Sequence, residues 1–455
     1  MSIDLARETA LKVLYDINEK GAYTNISVNK YLSGTQLRDV DRNFITELVY
    51  GTVRWKLTID WIIRQFSNIK LEKLSPWILN IMRLGVYQLL FTDKVPQSAA
   101  CNESVKLSKK YGHSASSGFV NAVLRNIARN RDKIKYPERA ENTVKYFSIK
   151  YSHPEWMIQE WIKLFGEEFT ESLLQKNNET PLLTVRANTL KTTREELSVI
   201  LREAGLEVDK GRYAQEALVI RNPASITRIE AFQKGYFQVQ DESSMLVGNI
   251  LDPKPGELVI DVCSAPGGKA THIAQLMKNS GTVIARDVHP HKIKLIDDAA
   301  KRLSISCIKT EVFDATKLDE RYIMKADRVL VDAPCTGLGI IRRKPDIKWE
   351  RHETDSAEIT KLQRTILDIS SEYVKPGGVL VYSTCTIMPE ENQDIVYDFI
   401  NRKKDFELQD ITGLLPSGLS KKDSSNGFIQ LYPNIDEVDG FFIARIVRRR
   451  KSDGK

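Results

Sequence analysis

The sequence predicts a multidomain chain: an all-α N-terminal domain, a small α+β domain, and a larger α/β domain built on a parallel sheet. Helical periodicity fills the first 135 residues with almost no strand pattern. Short strands and helices then alternate up to about residue 240. From residue 255 onward, fully apolar strand runs alternate with helices, the pattern of a parallel sheet covered on both faces. A chain of 455 residues is also too long for one ordinary core. The expected boundaries are 1–140, 141–238 and 239–450.

In the first part, "ARETALKVLYDI" places Ala6, Ala10, Val13 and Leu14 on one stripe, and "PWILNIMRLGVYQLLF" repeats the pattern. "SASSGFVNAVLRNIARN" opens with serines suited to capping a helix. In the middle part, "HPEWMIQEWIKLF" and "TREELSVILREAG" read as helices, and "LLTVRAN", "ALVIRN" and "GYFQVQ" as short strands. The strands of the last part are "ELVIDVC", "GTVIARDV", "SCIKTEVFDA", "RVLVDAPC" and "GVLVYSTC". "FIQLYP" and "GFFIARIVRRR" are candidates for antiparallel strands at one edge, and the tail "RRRKSDGK" for a frayed end.

Composition narrows the function. With 42% hydrophobic and 28% charged residues the chain reads as globular. No apolar run approaches the roughly 18 residues that a membrane span needs, and the start lacks a signal-peptide pattern, so the expected compartment is the cytoplasm. Five cysteines without close-spaced pairs argue against a disulfide framework or zinc site, and no metal is expected. The net charge is +7. Residues 1–140 carry about +9 and the remainder about −2, a basic end that suits a polyanion partner or a solvated helix face.

"LVIDVCSAPGGKATHIAQLM" (258–277) is a strand, a glycine turn and a helix. In an open parallel sheet, ligands sit where strand carboxyl ends meet such turns. The spacing excludes a phosphate-binding P-loop, because Cys263 and Ala270 stand where glycine and Ser/Thr are required, and G-x-G-x-x-G is absent. Asp287 ends the second strand, where a carboxylate can accept both hydroxyls of a ribose. Asp314 follows the third, within reach of an adenine amino group. Each acid taken singly also fits a helix cap or turn. Three in register on successive strands, Asp261, Asp287 and Asp314, are harder to explain that way, and a ribose and adenine held without phosphate recognition describes S-adenosylmethionine.

Cys335 and Cys385 each follow an apolar strand at its carboxyl end, so both thiols are expected to face the same cleft. Cys101 and Cys307 read instead as small buried hydrophobes, and Cys263 as a contributor of backbone. Carbon 5 of cytosine is a poor nucleophile until a thiolate adds at carbon 6, which is covalent catalysis. That chemistry needs a cysteine beside the cofactor and a group that protonates ring nitrogen 3, for which Asp332 is placed. Transfer to an exocyclic adenine nitrogen needs no thiol.

These residues resemble the RNA 5-methylcytosine methyltransferases. "CSAPGGK" (263–269), Asp287, Asp314, "DAPCTGLG" (332–339) and "STCT" (383–386) match that family's motifs in order and spacing, as do "QDESS" (240–244) and "RRKPDIKW" (342–349). The resemblance implies a Rossmann-like domain with Cys263, Ser264, Ala265, Pro266, Gly267, Gly268, Lys269, Asp287, Asp314 and Asp332 around S-adenosylmethionine. It makes Cys385 the nucleophile and Cys335 the aid to product release. The helical N-terminus with "NAVLRN" resembles the RNA-binding antitermination factor NusB, and the middle segment is expected to be ferredoxin- or RRM-like. Ser264 and Thr386 depart from the residues common in the family without removing a needed group. The implied substrate is a cytosine of 16S ribosomal RNA and the implied state a monomer. A non-catalytic RNA-binding factor and the same chemistry on transfer RNA are the alternatives. Arg342, Arg343, Lys344, Lys348 and Arg351 read as phosphate contacts at the cleft, and Trp349 as either a base-stacking residue or a loop anchor.

Overall fold

The structure, a computed structural model, describes residues 3–33, 37–221 and 226–450. Residues 451–455 of the tail lie outside the described residues. The chain divides into two compact units, Met1–Thr180 with Ile341–Arg351, and Pro181–Ile340 with His352–Lys455.

The first unit is helical. Its helices are Leu5–Lys20, Thr24–Ser33, Asp39–Arg54, Lys56–Phe66, Pro76–Leu90, Gln97–Tyr111 and Ser114–Arg129, followed by Thr143–Tyr151, Glu155–Phe165 and Glu167–Asn177. Local chemistry sets the ends. Asp4 accepts the Arg7 N–H at the start of the first helix, and Gly21 closes it in the left-handed region at φ +65°. Ser75 caps a helix whose first residue is Pro76. The helix at Ser114 is capped by His113 in a reciprocal pair with Ser116, so the cap precedes the serine run rather than lying in it. The expected stripe of Ala6, Ala10, Val13 and Leu14 is buried in the core with Leu48, Ile81, Leu84 and Leu124. Within that core Arg83 meets Asp60 through two parallel bonds of 2.7 and 2.8 Å.

Residues 341–351 come from the middle of the third sequence segment but pack with this helical unit. Lys348 is 1% exposed; its ammonium donates to the Arg54 carbonyl at 2.7 Å and to Asn178 Oδ1 at 3.3 Å. The Trp349 indole N–H donates to the Val53 carbonyl at 2.8 Å. Arg342 is buried, and its carbonyl accepts from the Arg54 guanidinium at 3.3 Å. This corrects the reading of Arg342 and Lys348 as phosphate contacts, and decides for Trp349 as an anchor. The apolar residues interleaved with the charges, Ile341 and Trp349 among them, pull the segment inward, and the Arg54 carbonyl and Asn178 side chain accept from the buried Lys348 nitrogen.

The second unit begins with a four-stranded antiparallel sheet: β1 Leu183–Ala187, β2 Val208–Lys210, β3 Ala217–Ile220 and β4 Phe237–Val239, in the order β2-β3-β1-β4. The helix Arg194–Glu203, started by a Thr193–Glu196 capping box, covers it through Leu197 and Leu201 against Val185, Leu218 and Phe237. Strand β2, with two of its three residues exposed, carries no apolar signal and was not anticipated.

The larger sheet follows: β5 Leu258–Asp261, β6 Thr282–Asp287, β7 Ile308–Val312, β8 Ala326–Asp332, β9 Val374–Thr384, β10 Phe406–Leu408, β11 Phe428–Leu431 and β12 Phe441–Arg448. Its order is β10-β12-β9-β8-β5-β6-β7, with β11 also on β12. Strands β5 to β9 pair in parallel, and β10, β11 and β12 are antiparallel, as expected for "FIQLYP" and "GFFIARIVRRR". Alternate strand residues feed two separate cores. Val259, Val283, Leu330 and Val381 join one, while Ile260, Ile284, Val329, Val331 and Leu380 join the other. The chain runs outward from β5 through β6 to β7, then returns to β8 on the other side of β5. That reversal puts the switch point of the sheet at the carboxyl end of β5.

The Arg83–Asp60 pair yields a stability prediction. Arg83→Ala leaves a buried carboxylate without its partner, at a cost of about 3–5 kcal/mol. Urea unfolding followed by tryptophan fluorescence is expected to show the first transition at markedly lower denaturant.

Candidate active site

At the switch point, β5 ends in Asp261 and the turn 262–267 leads into the helix Gly268–Leu276. The turn is held by the Ser264 N–H donating to the Arg286 carbonyl at 2.7 Å and the Gly267 N–H to the Ser264 carbonyl at 2.8 Å. Gly267 sits at φ +96°, and an added Cβ would come within 3.2 Å of the Ile296 Cα, so the turn requires glycine. Gly268 faces open space, with nothing closer than 4.0 Å to an added Cβ.

Behind the turn lies Arg186 of β1, 1% exposed. Its guanidinium donates to the Gly268 carbonyl at 2.8 Å, to Thr271 Oγ1 at 3.1 Å and to Gln275 Oε1 at 3.3 Å, and also to the Gln240 side chain. Burial lowers its pKa to about 9, which still leaves it charged at neutral pH. Gln240 of the "QDESS" stretch thus holds the arginine that braces the glycine turn.

The acids occupy the strand ends. Asp287 closes β6; its Oδ1 accepts the His289 N–H at 2.9 Å, with the Lys292 ammonium at 4.0 Å. Asp314 follows β7, and its Oδ1 accepts from the Thr316 N–H at 3.0 Å and hydroxyl at 2.7 Å, which holds its pKa low. Asp332 closes β8 between Lys269, whose ammonium lies 2.7 Å from Oδ2, and the Ser383 hydroxyl, 2.9 Å from Oδ1. Lys269 also lies over the Phe441 ring.

A third strand-end acid, Asp261, was given no cofactor role from the sequence. Asp261 is fully buried, and neither carboxylate oxygen has a hydrogen bond of good geometry; the buried Ser264 hydroxyl is likewise unmatched. Burial, then repulsion from Asp332, push the Asp261 pKa up to about 7. Its signal was in the sequence, because "VID" ends in a carboxylate as β6 and β8 do. A buried carboxylate beside an open glycine cradle fits a ligand that brings its own donors, such as the amino group of a methionine moiety.

Strands β8 and β9 run parallel with Asp332 opposite Ser383. Three residues beyond Asp332 is Cys335, two beyond Ser383 is Cys385, and their sulfurs are 3.2 Å apart. That is contact between thiols, well beyond a disulfide bond of about 2.05 Å. The Cys385 thiol beside it, and then burial, raise the Cys335 pKa well above its ordinary value. Burial and then the carboxylates around Cys263 push that thiol up as well. Cys101 and Cys307 are buried among apolar side chains, as read from the sequence. Among the described residues no group of three or more His, Cys, Asp or Glu side chains is arranged to hold a metal, and no helix is long and apolar enough to cross a membrane.

A parallel sheet with its switch point at a glycine turn and acids at successive strand ends defines a Rossmann-like fold that binds a nucleoside-containing ligand. Comparison with known proteins specifies it further. Residues 248–447 match the family model described as 16S rRNA methyltransferase RsmB/F, residues 4–129 the NusB family, and residues 153–227 the ferredoxin-like domain of RsmF/B-like methyltransferases. The chain is 39% identical over 445 residues to the probable ribosomal RNA small subunit methyltransferase B of Bacillus subtilis, covering 97% of this chain and 98% of that protein. It is 33% identical to ribosomal RNA small subunit methyltransferase B of Photorhabdus laumondii, covering 91% and 92%. Among solved structures, PH0851 is similar with a TM-score of 0.82 at 29% identity, covering 98% of this chain and 99% of that one. NSun6 from Pyrococcus horikoshii with SFG gives 0.59 at 27%, covering 66% and 99%. The chain belongs to the RsmB/F methyltransferase family and carries a NusB domain.

The state of Asp261 yields a pH prediction. Its folded pKa of about 7 exceeds the ordinary 3.8, so its penalty to folding is full above pH 7 and vanishes below pH 3.8. Asp261→Asn, without added ligand, is expected to raise stability at pH 8 by up to about 4 kcal/mol, at about 1.36 kcal/mol per pH unit. It is also expected to flatten the dependence between pH 4 and 7. Equilibrium denaturation at several pH values measures both.

Proposed function

We propose that the chain methylates carbon 5 of a cytosine in small-subunit ribosomal RNA, in the cytoplasm, through a covalent adduct at carbon 6. The observation that carries this reading is the contact of two thiols at the ends of neighbouring parallel strands, with Asp332 on the same edge. Its relatives are named small-subunit RNA methyltransferases, and the similar NSun6 structure contains an S-adenosylmethionine analogue. S-adenosylmethionine, when bound, supplies an electrophilic methyl group on a sulfonium.

In this reading Cys385 is the nucleophile. Its thiolate bonds to carbon 6 and the electrons of the 5,6 double bond move to carbon 5, while Asp332, as the carboxylic acid, donates its proton towards nitrogen 3. After carbon 5 has been methylated, its proton passes to water, the electron pair restores the double bond as the carbon–sulfur bond breaks, and nitrogen 3 returns its proton to Asp332. Cys335, held protonated, is the thiol that can donate to the departing Cys385 sulfur. Lys269 and Ser383 fix the Asp332 carboxylate. Asp261, Asp287, Asp314 and the turn 263–269 hold the cofactor, with Asp287 and Asp314 serving its ribose and adenine. A target base in folded RNA has to leave its stack to reach the thiols. The basic NusB-like domain contributes phosphate contacts.

Cys385→Ala is expected to reduce methyl incorporation into small-subunit RNA by about 10³-fold or more while cofactor binding persists. Cys335→Ala is expected to accumulate a protein–RNA adduct resistant to denaturing gels. Bisulfite sequencing of ribosomal and transfer RNA from cells with and without the protein identifies the substrate; a Cys385→Ala protein that still turns over rejects the nucleophile.

A further inference from the structure

Two thiols acting in turn on one base need a fixed separation, and two adjacent side chains beyond β9 reach the two cysteine turns. Glu391 is fully buried. Its Oε2 accepts the Thr336 N–H at 2.9 Å and the Gln363 amide at 3.1 Å, and its Oε1 accepts the Thr336 hydroxyl at 2.5 Å. The same Gln363 amide donates to the Pro334 carbonyl at 2.9 Å. Both residues flanking Cys335 are therefore held by one network.

Asn392 does the same for Cys385. Its Oδ1 accepts the Thr384 hydroxyl at 2.5 Å, and its Nδ2 donates to the Thr386 carbonyl at 3.1 Å and to Gln430 Oε1 at 2.7 Å. The two turns are joined where the Thr336 and Thr386 hydroxyls meet at 3.0 Å, and where the Gly339 N–H donates to the Cys385 carbonyl at 3.0 Å. A cysteine side chain has one torsion to its sulfur, restricted to staggered wells, so clamping the backbone on both sides leaves its sulfur few places.

We propose that Glu391 and Asn392 are positioning residues that set the sulfur–sulfur separation, Glu391 through the Cys335 turn and Asn392 through the Cys385 turn. For its kinetic consequence this rests on the function proposed above. The role belongs to hydrogen-bond geometry rather than to charge. Glutamine at 391 can present its oxygen to the Thr336 N–H and Gln363 and its amide to the Thr336 hydroxyl, which then accepts from residue 391 and donates to Thr386.

Cross-linking by diamide tests the separation without RNA: the two thiols give up two electrons and two protons to its N=N bond and become a disulfide. Wild type is expected to close the Cys335–Cys385 bond rapidly. Glu391→Ala and Asn392→Ala are expected to close it about tenfold more slowly and to lose about 10- to 100-fold in kcat with KM for S-adenosylmethionine unchanged. Glu391→Gln should behave as wild type in both assays. Should either alanine variant fail to fold by circular dichroism, Gln363→Ala, which loosens only the Cys335 side, carries the same expectation. Alanine variants that cross-link and turn over as wild type overturn the proposal, as does a Glu391→Gln protein as impaired as Glu391→Ala. A wild-type protein that cross-links but methylates no cytosine defeats the proposed function alone, and the cross-linking rates still judge the clamp.

Discussion

Everything chemical in this molecule depends on the parallel pairing of β8 with β9. A one-residue slip in that register would turn alternate side chains to the opposite face. Asp332 would lose Ser383, and the thiols that follow would no longer meet. Register is protected because both strands are apolar on both faces, so any slip exchanges residues between two packed cores. The parallel sheet is therefore both scaffold and alignment device for the thiols.

The same economy extends to the glycine turn. Arg186 is buried from a strand of the small sheet, yet it grips the carbonyl of Gly268 and the first turn of the helix behind it. A buried cation is tolerated because neutral acceptors surround it, and removing any of them would leave a donor stranded in a dry site. The small sheet thus takes part in shaping the candidate site, although none of its residues carried a chemical signature in the sequence.

What could be read from the sequence was whatever repeats with a short period or stands at a strand end. The five parallel strands, the stripe through Ala6, Ala10, Val13 and Leu14, and the acids after β6, β7 and β8 all belong to that class. Strand β2 was invisible because its short run has no periodicity; pairing with β3 and the burial of Val208 hold it in place. Arg186 and Glu391 were missed because their importance lies in what surrounds them, and burial of a charged side chain cannot be seen before the fold is known. Lys348 failed in the opposite direction: a lysine in a basic run looks solvated until the apolar residues beside it draw it inside.

The placement of residues 341–351 bears on how the protein is made. The helical unit stands first in the chain, but one of its packed segments is translated some 160 residues after Thr180. A nascent chain stopped at Thr180 lacks the Lys348 ammonium and the Trp349 indole that engage the carbonyls of Arg54 and Val53. The first unit to emerge is completed only when synthesis has passed well into the second.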